Sequence, residues 1–266
     1  METLRIDLHT HLKAAKRTPY QDDAPEHFAR ALSERSLDAL AMTEHFHAAQ
    51  FWEMHDAMLD RYAYRRGRFE VGDTLFYTGA EITLRERIDV LIIAPLADLR
   101  RIDRAFAHPL SRGYHPGARE FADVFDALGV DALRIGAHPL RPDKRADRLP
   151  DALIARLFDA FEINACYAGE HDGRIAHASK RRGLALTGGS DAHAHPGVGA
   201  AWTEAAMSGD TFHDLRDAVL GRRTTAHLHP AHEDLTRAGR DLKQRLKAEL
   251  PRLPKVTPDA HEMALA

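Results

Sequence analysis

The segment Leu4-Arg5-Ile6-Asp7-Leu8-His9-Thr10-His11 combines a short β-type pattern with a pair of ligand-type side chains. Apolar and charged residues alternate over residues 4–8, which predicts a half-buried strand. His9 and His11 are two residues apart, so on extended backbone their side chains lie on the same side of the strand. Both imidazoles can therefore approach one metal ion at the carboxyl end of this strand.

Six further β-rich segments follow along the chain, and amphipathic helical patterns separate most of them. The seven predicted strands cover residues 4–8, 38–42, 75–78, 89–94, 133–136, 160–163 and 184–187. Alternation of strands and helices predicts parallel strands that are joined by crossover connections. Seven strands in a chain of this size favour a closed or nearly closed α/β barrel over an open sheet.

The character of the chain changes after Pro230. Four leucines then recur at helical spacing among many charged residues, and three prolines follow them. We predict that residues 1–230 form the barrel domain and that residues 231–266 form a C-terminal helix and a loose tail packed on it. The alternative is that the helix at residues 231–250 joins copies of the chain in a homo-oligomer.

Composition excludes several classes of protein. The formal net charge of −3 gives no global basic field, so we expect no obligate duplex nucleic acid as a partner. Cys166 is the one cysteine, which excludes a disulfide framework and a cysteine-based zinc site. The longest nearly apolar run, residues 90–97, is far shorter than the roughly 20 residues of a membrane span. Residues 1–8 lack the apolar segment of a signal peptide, and we therefore expect a cytoplasmic protein.

The chain contains 18 histidines, more than packing requires, and several of them follow predicted strands together with carboxylates. The motifs are Asp7-Leu8-His9-Thr10-His11, Thr43-Glu44-His45, Gly79-Ala80-Glu81-Ile82, His138-Pro139 and Gly189-Ser190-Asp191-Ala192-His193. The carboxyl ends of barrel strands converge on one face, so these motifs are expected to meet in one cleft. Five histidines and two carboxylates exceed the needs of one tetrahedral ion and suit two or three clustered ions of zinc, manganese or iron.

In their order along the chain, these motifs resemble those of the polymerase and histidinol phosphatase (PHP) superfamily, from residue 7 to residue 193. The resemblance implies a distorted seven-stranded (β/α)7 TIM-like barrel that binds up to three metal ions and hydrolyses phosphoester bonds. The implied ligands are His9, His11, Glu81 and Asp191 for a first ion, Glu81 and His138 for a second, and His45 and His193 for a third. Further ligands of the second and third ions stay open, with Asp22, Asp23, Asp89, His108 and His115 as candidates.

The predicted reaction is metal-dependent hydrolysis of a small phosphomonoester or nucleotide, in which a di- or trinuclear cluster activates water. The candidate catalytic residues are Asp191, His193 and Glu81. Asp191 or His193 can relay a proton, and His195 is a further candidate for the general acid. Arg141 and Lys16 are the candidate substrate-binding residues, because they follow ligand motifs and their charge suits phosphate oxygens.

Three different functions also stay open. A metal-dependent amidohydrolase would also place a His-x-His pair after the first strand, but this class often needs a bridging modified lysine. No lysine lies between Lys16 and Lys144, and Glu81 takes the bridging position. The second of these functions is that of an exonuclease acting on single-stranded nucleic acid, and the third is that of a catalytically silent PHP module.

Overall fold

Residues 1–169 and 171–257 are described by the computed structural model, in which strands and helices alternate along most of the chain. The strands are β1 (Glu2–Thr10), β2 (Ala39–Met42), β3 (Ala63–Arg65), β4 (Arg68–Val71), β5 (Thr74–Thr83), β6 (Asp89–Ile93), β7 (Leu133–Gly136), β8 (Leu140–Arg141), β9 (Lys144–Arg145), β10 (Ala160–Asn164), β11 (Ala185–Gly189), β12 (Ala201–Met207) and β13 (Thr224–Leu228). The helices are α1 (Ala24–Glu34), α2 (Phe51–Arg61), α3 (Leu96–Arg104), α4 (Ala118–Leu128), α5 (Asp151–Leu157), α6 (Asp172–Arg182), α7 (Phe212–Leu220) and α8 (His232–Glu249).

The seven predicted segments all form strands, but the sheet is larger than the predicted seven-stranded barrel. Nine strands follow one another by hydrogen bonding in the order β11-β10-β7-β6-β5-β2-β1-β12-β13. The sequence did not predict β12, because its alanines and glutamate have low β-propensity. Pairing with β1 imposes the strand, with Ile6 opposite Thr203.

The two ends of this path approach each other. Thr224 of β13 donates a hydrogen bond from Oγ1 to the carbonyl of Leu186 in β11, at 2.9 Å. The amide of Gly188 in β11 donates to Oγ1 of Thr203 in β12, at 2.8 Å. In a closed barrel, backbone hydrogen bonds would join these end strands. Here side-chain hydrogen bonds link them instead. The chain therefore forms an α/β fold with a nearly closed, barrel-like sheet.

The prediction that all strands run parallel is wrong for the fourth predicted strand. β6 runs antiparallel to both β5 and β7. Residues 84–88 connect β5 to β6 through a tight turn in which the Leu84 amide donates to the Ile88 carbonyl. So short a connection cannot make a parallel crossover. As a result, Asp89 at the start of β6 lies opposite Thr83, at the same edge of the sheet as Glu81.

Helix α8 lies against the barrel's own loops. A Cβ atom at Gly239 would come within 3.0 Å of the Cα of Gly197, so the helix backbone lies directly on this loop. Leu242 and Leu246 face a cavity that Phe28 of α1 also lines. These two leucines of the stripe therefore face the body of the chain.

The first residues after α8 are tied to the barrel. The Leu253 amide donates to the Arg17 carbonyl at 2.8 Å, and Nε of Arg17 donates to the Leu253 carbonyl at 2.7 Å. The predicted loose tail thus begins with an attached segment, and its last part, residues 258–266, lies outside the described residues. Within the described ranges, no helix has the length and apolar character that crossing a membrane requires.

Candidate metal centre

Backbone hydrogen bonds bring the first and last ligand motifs together. The Asp191 amide donates to the His9 carbonyl, and the His11 amide donates to the Ala192 carbonyl, both at 2.8 Å. Nε2 of His9 and Nε2 of His11 lie 3.2 Å apart. Oδ1 of Asp191 lies 3.6 Å from the first of these nitrogens and 3.3 Å from the second. His9, His11 and Asp191 thus form one group that could hold a metal ion, and Glu81, the fourth ligand predicted for the first ion, belongs to another group.

A second group consists of Glu81, Asp89 and His138. Nε2 of His138 lies 3.6 Å from Oε1 of Glu81 and 3.5 Å from Oδ2 of Asp89. Of the candidates left open for the second ion, Asp89 is the one in this group. His115 instead places Nδ1 at 2.8 Å from the Thr83 carbonyl, and His108 packs beside Tyr114.

His11, His45 and His193 form the third group. The rings of His11 and His193 are stacked with centroids 4.1 Å apart, and Nδ1 of His45 lies 2.7 Å from Oε2 of Glu81. Asp22 and Asp23, which the sequence offered as further ligands of this ion, are exposed and belong to none of the three groups of described residues. Asp23 pairs with His27 at 3.4 Å instead.

The donor set fits a cluster of divalent ions. Two polar atoms of the second ligand group, Nδ1 of His138 and Oδ1 of Asp89, are buried without a hydrogen-bond partner among the described residues. A buried polar atom without a partner costs about 1–3 kcal/mol, and such atoms call for a ligand or a water. Imidazole nitrogens and carboxylate oxygens are the donors that zinc, manganese and iron accept.

Electrostatics in the centre favour a bound cation. Burial alone would raise the pKa of Glu81, but His45, His138 and His9 outweigh burial and hold this pKa well below its usual range. Burial likewise lowers the pKa of His11, but hydrogen bonds to Asp191 and Glu44 raise it to about 9. Without a metal, the neighbouring ionised carboxylates therefore hold a proton on His11.

Binding of a divalent ion is accordingly expected to release protons at pH 7.5. An imidazole ligand must be unprotonated, and His11 keeps its proton below a pKa of about 9. Apparent metal affinity should fall as the pH drops below that value. Calorimetric titration with Mn²⁺ in buffers of different ionisation enthalpy measures the release, and an enthalpy independent of the buffer at pH 7.5 would contradict it.

Two buried glutamates that carry no predicted role hold the ligands in place. Glu162 lies near the end of β10, with Oε1 2.8 Å from Nδ1 of His9 and with Oε2 accepting from the His138 amide at 2.8 Å. Glu44 accepts from the amides of Lys13 and His45, and its Oε1 lies 3.6 Å from Nδ1 of His11. Carboxylates in such positions orient imidazole ligands and fix their tautomers. Glu162 is an acidic residue at a strand end, the same signal that identified Glu81.

Two further residues near the centre were missed by the sequence motifs. Nζ of Lys144 contacts Oδ2 of Asp89. The ring of His47 lies 5.9 Å from that of His45 and 5.0 Å from that of His115. The pair His45-x-His47 repeats the spacing of the first motif, which is the signal that could have identified His47.

The predicted substrate-binding residues lie at the rim of the centre. Burial lowers the pKa of Lys16, and the nearby Glu81 carboxylate opposes this shift. Arg141 lies over the ring of Tyr167, 5.0 Å from its centroid, and pairs with Asp143 at 2.8 Å. The Tyr167 ring in turn lies 5.6 Å from that of His138.

His195, the further candidate for the general acid, lies apart from the three ligand groups. His195 stacks on His27 of α1, with ring centroids 5.1 Å apart. It belongs to none of the three groups formed by the described residues. Asp191 and His193 remain the candidates for proton transfer.

Comparisons with known proteins agree with this fold. The PHP-associated (PHP_C) family model matches residues 169–224, and no curated protein sequence matches the chain. The structure of PsfC from Pseudomonas syringae superposes with a TM-score of 0.78 at 23% identity, covering 92% of this chain and 100% of that one. Endonuclease Q in complex with a 27-mer duplex substrate gives a TM-score of 0.66 at 16% identity, covering 97% and 75%.

A third structure, from Bacteroides vulgatus, is that of a two-domain protein containing a predicted PHP-like metal-dependent phosphoesterase. Its TM-score is 0.57 at 17% identity, covering 90% of this chain and 70% of that one. At these identities the likeness concerns the fold. This chain is thus similar to the PHP-associated family over residues 169–224, and it shares its fold with Endonuclease Q and with a protein that contains a predicted PHP-like phosphoesterase.

Proposed function

We propose that the protein hydrolyses a small phosphomonoester or nucleotide with two or three divalent ions of zinc, manganese or iron. The observation that carries this proposal is the meeting of three ligand groups, each with its donor atoms within 4.8 Å of one another. The proposed ligands are His9, His11, His45, Glu81, Asp89, His138, Asp191 and His193. When bound, such ions lower the pKa of water and neutralise charge on phosphoryl oxygens.

Glu81 is the residue that connects the three groups. Its Oε2 lies 2.7 Å from Nδ1 of His45 and 3.6 Å from Nε2 of His11, while Oε1 lies 3.6 Å from Nε2 of His138. The carboxylate is ionised, and its two oxygens face different groups. We therefore assign to Glu81 the role of bridging ligand.

Asp191 and His193 lie on the solvent side of the centre. His9 and His11 are fully buried, whereas 16% of the Asp191 side chain is exposed. Burial, together with the positive neighbours His11 and Lys243, holds the pKa of His193 well below its usual value. The imidazole is therefore neutral and offers a lone pair to a cation. We assign proton transfer to this pair because Asp191 is partly exposed on the solvent side.

Positive side chains beside the second group suit the oxygens of the transferred phosphoryl group. The charges of Glu81 and Asp89 act on Lys16, and Lys144 contacts Asp89. Arg141 lies nearby on Tyr167 but already pairs with Asp143. We assign phosphate binding to Lys16 first and to Arg141 second.

Metal analysis and a substrate screen test the proposal. We expect the purified protein to bind about two or three equivalents of transition metal and to hydrolyse para-nitrophenyl phosphate. Chelator-treated protein is the control, and added Mn²⁺ or Zn²⁺ should restore its activity. A panel of phosphorylated metabolites then identifies the substrate, and a metal-loaded protein that cleaves no phosphoester would refute the proposal.

The same screen separates the competing functions. Cleavage of amide substrates alone would indicate an amidohydrolase, and cleavage of single-stranded oligonucleotides would indicate an exonuclease. Because Endonuclease Q has this fold and binds a duplex with an abasic lesion, such a duplex belongs in the panel. Preference for it over small phosphomonoesters would overturn our expectation that duplex nucleic acid is no obligate partner.

A further inference from the structure

Helix α8 forms one wall of a cavity that opens beside Asp191 and His193. The cavity encloses about 120 Å³. Thr236, Gly239, Arg240 and Lys243 contribute to it from one face of the helix, at spacings of three, four and seven residues. Tyr167 and Ser190 lie on the barrel side. The close contact of Gly239 with Gly197 holds this face of α8 against the cavity.

Arg240 and Lys243 are cations with unused hydrogen-bonding capacity. Within residues 1–169 and 171–257, neither forms an ion pair. Arg240 donates one long hydrogen bond, of 3.4 Å, from Nη2 to the Cys166 carbonyl. A guanidinium has five N–H donors, so most of its donors are available for a ligand. Lys243 is half-buried, which lowers its pKa, and the Asp191 carboxylate opposes that shift.

These two cations are separate from those that suit the transferred phosphoryl group. The charges that act on Lys16 are chiefly Glu81, Lys144 and Asp89, around the second ligand group. Lys243 lines the cavity together with Asp191, and Lys16 is not among the described residues that line it. The cavity therefore has two cations of its own, besides those near the second ligand group. A substrate that uses both sets of cations carries two anionic groups.

We propose that α8 is part of the substrate site and that Arg240 and Lys243 bind a second anionic group, a phosphate or a carboxylate, of the phosphoester substrate. This inference rests on the proposed function. Asp191 also lines the cavity, but its carboxylate already faces His9 and His11 as a proposed metal ligand. The two cations on α8 are thus the groups that a substrate anion in the cavity would meet.

Binding of non-hydrolysable probes tests the inference without depending on turnover. The probes are propylphosphonate, 3-phosphonopropionate and 1,3-propanediphosphonate, titrated by calorimetry into full-length protein loaded with Mn²⁺. We expect at least one of the two-anion probes to bind about 10-fold or more tightly than propylphosphonate, since hydrogen bonds to charged groups are worth that much. Tighter binding of 3-phosphonopropionate would identify the second anionic group as a carboxylate. Tighter binding of 1,3-propanediphosphonate would identify it as a phosphate.

Lys243→Met and Arg240→Met should each reduce that preference by about 10-fold and leave propylphosphonate binding unchanged. Arg245→Met, at an exposed position of the same helix, is the matched control and should keep the preference. Equal affinity of the unaltered protein for all three probes would refute the inference, as would a preference that survives in both variants. Weaker binding of every probe would show instead that these cations hold the reacting phosphoryl group. Absence of hydrolysis would refute the proposed function and leave this binding result standing.

Discussion

Replacement of Glu81 by glutamine is expected to lower phosphoester hydrolysis by roughly a thousand-fold or more. The carboxylate is 2% exposed, and its two oxygens face His45 and His11 on one side and His138 on the other. Glutamine keeps the size of the side chain but removes the negative charge. Its NH₂ group also has no lone pair to offer an ion. One ligand group therefore loses its shared oxygen whichever way the amide is turned.

The measurement is kcat with para-nitrophenyl phosphate, together with the metal content of the same sample. Glu53→Gln is the matched control, because Glu53 is exposed on α2 and should tolerate the change. Far-UV circular dichroism distinguishes loss of the fold from loss of the centre. Activity of Glu81→Gln within 10-fold of the unaltered protein, with metal still bound, would show that Glu81 does not bridge the ions.

The convergence of the ligand motifs could be predicted because it depends on local patterns. A strand that ends in His9 and His11 and a strand that ends before Asp191 place their ligands at the same edge of a parallel sheet. The two motifs do meet, because backbone hydrogen bonds join His9 to Asp191 and His11 to Ala192. The seven strand segments were likewise visible from their apolar runs.

Other parts of the centre depend on tertiary geometry that no local pattern records. Asp89 lies near His138 because β6 runs antiparallel to its neighbours. The residues of a strand do not by themselves determine its direction in the sheet. Arg240 and Lys243 reach the cavity because α8 folds back over Gly197. Strand β12 was missed since its pairing with β1 overrides a weak local preference.

Glu162→Gln is expected to weaken metal binding by about 10- to 100-fold, even though Glu162 lies outside the three groups with ligand geometry. Oε2 of Glu162 accepts from the His138 amide at 2.8 Å and from Nδ2 of Asn164 at 3.0 Å. Because two N–H donors point at the Oε2 position, only an oxygen can fill it. In the variant, the side-chain oxygen of the glutamine must therefore occupy the Oε2 position. The NH₂ group then stands at the Oε1 position, 2.8 Å from Nδ1 of His9.

The consequence follows from the tautomer of His9. Facing an NH₂ donor, Nδ1 becomes an acceptor, and the ring proton of the neutral imidazole moves to Nε2. Nε2 is the nitrogen that lies 3.6 Å from Asp191 and 3.2 Å from Nε2 of His11, within the first ligand group. A protonated nitrogen cannot bind a metal ion. Competition with a fluorescent chelator measures the affinity, and Glu233→Gln on the exposed side of α8 is the control. Unchanged affinity in Glu162→Gln would mean that His9 binds no metal through Nε2, because the substitution leaves every other proposed ligand in place.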